Sequence, residues 1–339
     1  MRPRIVLAYS GALRTSVAVQ WLSDTYDADV VAVTLDLGQG GELEEIRSRA
    51  LAAGAIRAHV LDARDEFART FLWRALQAGA IGHWGHGLAT ALARPLIVQK
   101  LLDVAEMEQS TVIAHGAVSG DDHRRFERAA GALRPDVEVL APAQIWRMSV
   151  EEEREYARVR HLPGPVSSRL LDANLWTRAA HGSEPPAPTR GTSARLEIEF
   201  ERGVPIAVNG VSMGLVELIE SLTTIAGGEG VGRIPLAQDA SAPDSPTACD
   251  APAAVVLDTA HRELEVRVTS PDVAEVKRAL AATYAELVRA GLWFSPLREA
   301  IDAFTAKLQE NMTGVVGLSL VKGRCAVTTS QQPSFAAHS

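Results

Sequence analysis

The chain has 339 residues, 47% of them hydrophobic, a formal net charge of −8 and two cysteines, Cys249 and Cys325. That length and apolar content suffice for two buried cores, the acidic balance excludes a general nucleic-acid footprint, and two distant cysteines exclude a disulfide framework or a thiolate metal site. No apolar stretch reaches the length of a membrane span, and Met1-Arg2-Pro3-Arg4 leads into a strand instead of a signal-peptide core, so a cytoplasmic protein without membrane or nucleic-acid partners is expected.

The first apolar strand, Ile5–Tyr9, turns through Ser10-Gly11-Ala12-Leu13-Arg14-Thr15-Ser16 into a helix carrying Val17, Val19, Trp21 and Leu22. A Gly- and Ser-containing turn between a strand and a helix gathers backbone N–H groups at the positive end of a helix dipole, which makes a cradle for phosphate. It lacks the Gly-Lys-Ser/Thr element of a P-loop. Further strands are expected at Val30–Leu35, Ala58–Leu61, Thr111–Ala114 and Val137–Leu140, alternating with helices as in a parallel sheet. The loops that follow them, Ser10–Ser16, Asp36–Gly41, Asp62–Asp65 and His115–Arg125, then share the sheet edge where α/β folds bind ligands. Ser149-Val150-Glu151-Glu152 reads as a capping box that opens a helix ending near His161.

From about Leu196 the period changes to two. Leu196, Ile198 and Phe200 share a face, Arg202-Gly203 and Asn209-Gly210 read as hairpin turns, and Pro205–Val208 is the return strand. A long helix is expected after Ser270 and Pro271, with Val273, Val276, Leu280, Tyr284 and Leu287 on its buried face and Gly291 as its stop. Trp293-Phe294 reads as core at the following junction. Another helix begins near Pro296, and a hairpin through Val315–Leu320, Lys322-Gly323 and Cys325–Thr328 closes the fold. Gly182–Thr192 and Asp239–Pro252, rich in Pro, Ala, Ser and Asp, read as loops.

The turn at Ser10, VVAVTLDLGQGGELEEIRSRAL from Val30, TALARPLI from Thr90, AHG from Ala114, NLW from Asn174, VELIE from Val216, GVGRI from Gly230 and YAELVRAGLWFSPLREA from Tyr284 are similar, in order, to blocks of the argininosuccinate synthase family. The resemblance covers roughly residues 4–328. It implies a parallel-sheet, Rossmann-like ATP-pyrophosphatase domain over residues 1–165, an α+β synthetase domain over 166–329 and a flexible tail over 330–339. It also implies ATP with Mg2+ on its phosphates, small amino-acid-like substrates and a homo-oligomer, here with a short C-terminal arm. In the family reaction ATP adenylates the ureido oxygen of citrulline, pyrophosphate leaves, and the amine of aspartate displaces AMP. That chemistry is positioning and charge stabilisation and needs no enzyme nucleophile.

Carried over residue by residue, Ser10, Gly11, Thr15 and Ser16 match the family's S-G-G-x-D-T/S loop, and Gly116 matches a position where ATP approaches backbone. Ala12 replaces the second glycine, where a positive φ is expected, and Arg14 replaces the aspartate. Arg14 is either a phosphate fork or a plug, and without an anion it strains an already positive corner. The amino-acid side departs further. Where the family reads H-G-C-T-G-K-G-N-D-Q-V-R-F-E, the chain runs His115-Gly116-Ala117-Val118-Ser119-Gly120-Asp121-Asp122-His123-Arg124-Arg125-Phe126-Glu127, so Asp122 and Arg125 survive while Val118 and Asp121 replace a threonine and an asparagine. His86 replaces a citrulline-facing tyrosine, and Ala91, Leu170, Ala179, Gln238 and Cys249 replace further polar positions.

A charged hydrogen bond lost from a buried site costs about 1.5–3 kcal/mol, and several such losses point away from citrulline and aspartate as efficient substrates. An AMP-forming C–N ligase with changed amino-acid substrates is therefore expected, against the alternative of a non-catalytic homologue kept for binding or assembly. His86, Asp121, Asp122 and Arg125 are the candidate substrate contacts, set against a solvated loop that does nothing. No metal ligand set is expected. His83 and His86, three apart, lack a third ligand nearby, and Cys249 has no basic neighbour to activate it.

Overall fold

A computed structural model describes residues 2–41, 43–80, 87–164, 173–180, 194–235 and 248–331. It divides into two compact units, residues 1–64, 90–174 and 287–295 in the first and 65–89, 175–286 and 296–339 in the second.

The first unit is built on five parallel strands, β1 (Arg4–Ala8), β2 (Asp29–Asp36), β3 (Arg57–Asp62), β4 (Val112–His115) and β5 (Glu138–Leu140), in the order β3-β2-β1-β4-β5. Ile5, Val6 and Leu7 of β1 and Val30 to Val33 of β2 are buried, as apolar strands covered on both faces require. The chain leaves β1 toward β2 and β3, then returns to the other side of β1 with β4. The strand order reverses there, and a cavity lies at the C-terminal ends of these strands. Helices Leu13–Tyr26, Leu43–Ala52, Gly87–Met107 and Val150–Val159 complete the layers. The capping box is present: Ser149 Oγ accepts the Glu152 N–H while the Glu152 carboxylate accepts the Ser149 N–H.

One expected loop is a helix. After Ser119 the chain is helical over Gly120–Leu133, because Ser119 Oγ accepts the Asp121 N–H and Asp121 and Asp122 place negative charge in the first turn.

The second unit carries an antiparallel sheet in the order β13-β12-β7-β8-β9, from β7 (Ala194–Glu201), β8 (Val204–Val208), β9 (Val211–Ser212), β12 (Gly314–Val321) and β13 (Arg324–Gln331). Its hairpins turn at Arg202-Gly203, Asn209-Gly210 and Lys322-Gly323, each with both residues at positive φ, the geometry that matches strand twist. Leu196, Ile198, Phe200, Val316, Leu318 and Leu320 are buried. A second sheet joins β6 (Arg178–Ala180), β10 (Arg233–Pro235) and β11 (Ala248–Asp250) in the order β10-β11-β6. Helices Leu215–Gly228 and Pro252–Val268 pack on each other, the first also against β8 and the second against β12 and β13.

Sequence reading misses both helices, and the described part of the expected Asp239–Pro252 loop is β11, the N-cap Ala251 and the first residue of the second helix. Ala-Cys-Asp has little strand propensity, and pairing on both sides makes it a central strand. Residues 236–247, the Gly182–Thr192 loop and the tail from residue 332 lie outside the described residues; Ser330 and Gln331 end β13.

The long helix Pro271–Arg289 is present, but its buried face is rotated from expectation: Val276 is 51% exposed while Lys277 is buried with Ala281, Tyr284, Ala285 and Val288. An ion pair to Glu265 lets Lys277 go inside. His261 lies within the same unit, fully buried, bonded to Gln309 Oε1 at 2.8 Å, and burial lowers its pKa to about 3.

Candidate functional site

Strand β1 ends at Ala8, Tyr9 and Ser10 follow it, and Gly11 makes the turn at φ 78°. Ala12 follows at φ −66° and ψ 156°, an ordinary extended conformation. The expectation of a positive φ at residue 12 is therefore corrected: the left-handed residue is Gly11, and what Ala12 adds is a methyl group. Helix Leu13–Tyr26 then starts with neither a side-chain cap nor an acidic residue in its first turn, so its N-terminal amides remain to be matched from outside the helix.

Three loops border one cavity of about 300 Å³, at the small end of the range for small-molecule sites. Ser10, Ala12, Arg14 and Thr15 come from the end of β1, Leu37 and Gln39 from the end of β2, and His115, Gly116 and Ala117 from the end of β4, as the shared sheet edge requires. Arg94, Phe126 and Asn174 also line it. The β1 and β4 loops touch. A Cβ on Gly116 would lie 2.7 Å from Thr15 Cγ2, so glycine is what allows the two to close.

The loop hydroxyls divide between cavity and core. Ser10 Oγ and Thr15 Oγ1 are 3.4 Å apart at the cavity, and Thr15 also donates to the Ala12 carbonyl. Ser16 is fully buried, sharing a 2.8 Å hydrogen bond with Tyr9 and contacting the Ala12 carbonyl, and it holds the turn from below. Arg14 is not the unmatched charge that sequence reading expects. Its Nε donates to Glu153 Oε1 at 2.8 Å, and Glu153, on helix Val150–Val159, is buried. Glu153 lies 139 residues from Arg14, and its local pattern signals only a capped helix start.

The end of β4 is organised by ionised groups and a histidine pair. Asp122 accepts from Arg94 Nη2 at 2.9 Å and from Arg125 Nη1 at 2.7 Å, while Arg125 Nε donates to the Arg289 carbonyl. Burial pushes the Asp122 carboxyl up, but the two guanidinium groups outweigh it and hold the pKa below the ordinary carboxylate value. Arg94 Nε is buried with no hydrogen-bond partner among the described residues. Gly291, at φ 74°, ends the long helix and leaves room for Arg125, whose Cα would lie 2.6 Å from a Cβ there.

His115 Nδ1 accepts the Ala117 N–H, which places its proton on Nε2 for donation to His123 Nδ1 at 3.0 Å. The ring stacks on Phe126 at 4.2 Å between centroids, and burial, aided by His123 and Arg94, lowers its pKa to about 3, so it is neutral at pH 7. Asp121 is exposed and pairs with Arg124, and Val118 is 57% exposed. Asp121, Asp122 and Arg125 are not among the residues lining the cavity; His83 and His86 lie outside the described residues. Cys249 is buried in β11 and burial pushes its thiol up to about 11, which fits no nucleophile.

No described residue lining the cavity is a carboxylate, and no group of three or more His, Cys, Asp or Glu that could hold a metal occurs among the described residues. The wall carries two guanidinium groups, Arg14 and Arg94. These donors do not fit a protein-held divalent cation. No helix of the described residues is long and apolar enough to cross a membrane.

Two sequence profiles match in tandem: the arginosuccinate synthase N-terminal HUP domain over residues 4–163 and the arginosuccinate synthase C-terminal domain over residues 172–335. An argininosuccinate synthase from Symbiobacterium thermophilum is 42% identical over 345 residues, 95% of this chain and 86% of that protein. Those from Dictyoglomus turgidum and Caldanaerobacter subterraneus are 40% and 38% identical, over 98% and 97% of this chain and 88% and 86% of theirs. Among solved structures, a 4-thiouridine synthetase–RNA complex with bound ATP aligns with 51% of this chain and 46% of its own at a TM-score of 0.34 and 14% identity.

Proposed function

The chain belongs to the argininosuccinate synthase family of ATP-dependent carbon–nitrogen ligases, and from that premise we propose an AMP-forming ligase whose amino-acid substrates differ from citrulline and aspartate. A carbonyl or ureido oxygen attacks the α-phosphorus of ATP, pyrophosphate leaves, and an amine displaces AMP to form the C–N bond. In this reading Ser10, Thr15 and the amides after Gly11 receive the phosphate chain, Gly116 admits it against backbone, Arg14 adds a guanidinium, and Ser16 positions the turn. Mg2+ would have to travel on the nucleotide with its water, because the described cavity wall offers it no carboxylate.

The observation that carries the altered-substrate reading is the self-pairing of the segment after β4. Asp122 binds both Arg125 and Arg94, and Asp121 binds Arg124. A zwitterion bound by Asp122 and Arg125 would have to exchange those ion pairs. With Val118 in place of a threonine, hydroxyl compensation from that position is gone. His86, Asp121, Asp122 and Arg125 are kept as the candidate substrate contacts.

A second reading, a non-catalytic homologue, is favoured by one observation, the tie between Arg14 and Glu153 inside the phosphate loop. Pyrophosphate release from ATP over a panel of amine and ureido or carbonyl partners separates the two. Release that is fastest with a pair other than citrulline and aspartate supports altered substrates, and release fastest with that pair refutes them. Nucleotide binding without release over the whole panel supports the second reading.

A further inference from the structure

Arg14 occupies a helix N-terminus beside the cavity, and its Nε is held at 2.8 Å by the buried carboxylate of Glu153. That contact orients the guanidinium and leaves both Nη groups as its remaining donors. Arg94, which lines the same cavity, is held to Asp122 through Nη2, while its Nε is buried without a hydrogen-bond partner among the described residues. Both side chains line the cavity, and no described lining residue is acidic. A polyanion entering meets two fixed cations, the uncapped amides of helix Leu13–Tyr26 and the Ser10 and Thr15 hydroxyls. A divalent cation entering meets two like charges and no carboxylate to replace its water.

We propose that the Arg14–Glu153 pair, with Arg94 on the same cavity, replaces divalent metal in charge compensation, so that this cavity binds inorganic pyrophosphate and the phosphate chain of ATP without a metal ion. This rests on the reading of the cavity as the ATP site. Glu153 acts here as a positioning residue: it fixes the guanidinium and prevents it from folding over the loop as a plug. The guanidinium presents planar donors to phosphate oxygens. Its removal has a second consequence. Without Arg14, the buried carboxylate of Glu153 loses its cation, so the same position changes from repelling a cation to attracting one.

The test is calorimetric titration of the full chain with inorganic pyrophosphate and with ATP, in EDTA and in excess Mg2+. The expected Kd for pyrophosphate in EDTA is no more than threefold above that in Mg2+. A Kd in EDTA more than threefold higher overturns the proposal. Arg14→Ala is expected to weaken binding in EDTA at least tenfold and to weaken binding in Mg2+ less, so that metal dependence appears; an unchanged EDTA affinity overturns the proposal. Arg158→Ala, which removes the same charge from an exposed pair on the Glu153 helix, is expected to leave the EDTA-to-Mg2+ ratio unchanged. An equal shift of that ratio in Arg158→Ala overturns the local role of Arg14. Binding of ATP in Mg2+ alone defeats this inference and leaves the ATP site standing. Binding of neither ligand in either condition defeats both.

Discussion

At the end of β1 the cavity is walled by backbone amides, two hydroxyls and one guanidinium fixed by a buried carboxylate, whereas the end of β4 is backed by ionised side chains that bind one another. The first wall depends on turn geometry: Gly11 at φ 78°, Ala12 extended, Gly116 without a side chain. Most single substitutions leave such a wall in place, since main-chain donors do not change with the side chain. The second depends on which side chains stand at a few positions, and there the charges are spent internally. On the proposed reading, divergence within a family acts unevenly on the two walls, retaining phosphate-type recognition while altering amino-acid recognition.

The largest effect expected from this contrast is on the family reaction itself. Argininosuccinate formation from citrulline and aspartate should be absent or far below an ordinary enzyme rate, about 1 s⁻¹, while nucleotide or pyrophosphate binding persists. Steady-state turnover at about 1 s⁻¹ or more would show that the second wall is as competent as the first.

The walls should also answer differently to a change of pH. His115, the last residue of β4, has its pKa lowered to about 3 by burial, and His261 in the second unit is likewise lowered to about 3. Each is neutral when folded and takes a proton when unfolded below about pH 6.5, so the stability it contributes is present above that value and is lost as pH falls toward 3. The loss is about 2 kcal/mol per histidine at pH 5. Denaturant unfolding between pH 7 and pH 5 should show it, and His115→Gln should reduce the slope by about one proton. An unchanged slope would mean that His115 is accessible to protons in the folded state. Asp122 adds an effect only in stronger acid, because its lowered pKa keeps its stabilising charge until pH falls below the ordinary carboxylate range.

A steric substitution probes the contact between the walls. Gly116→Val places carbon where Thr15 Cγ2 already stands, 2.7 Å from the Cβ position. The loops must part, at a cost of about 1–3 kcal/mol. Pyrophosphate affinity should fall about tenfold or more, and thermal unfolding should shift less than it does for Asp122→Ala, which leaves two partly buried guanidinium groups without their shared anion. Equal affinity in Gly116→Val and the parent would separate the binding site from this contact.

These contrasts also mark what the sequence discloses. Strand, turn and helix at Ile5 to Leu22 are local, and apolar periodicity with a glycine suffices to read them. The three positive-φ hairpin turns are equally local. The Arg14–Glu153 pair is not, because its partners are brought together by packing of helix Val150–Val159 across the first unit, and no spacing rule joins residues so far apart. Nor is the register of the long helix, where the apolar stripe through Val276 is overruled by an ion pair that buries Lys277. The helix Pro252–Val268 is hidden by the Pro- and Ala-rich segment that leads into it, and the segment after Ser119 by charges that read as a solvated loop but serve as a helical first turn.

The smallest effect should come from Ala12→Gly, the substitution that restores the family's second glycine. Were φ positive there, the change would relieve backbone strain; at φ −66° it relieves none. Two minor consequences remain, and they oppose each other. Glycine is preferred to alanine at a helix N-cap by a fraction of the typical capping energy, about 1 kcal/mol, while its added freedom in the unfolded chain costs about 0.4–1 kcal/mol. Stability should therefore stay within about 1 kcal/mol, and pyrophosphate affinity should change less than threefold. A tenfold gain in affinity in calorimetry would identify the Ala12 methyl as an obstruction between phosphate and backbone, and would move the first wall from a retained phosphate site to an impaired one.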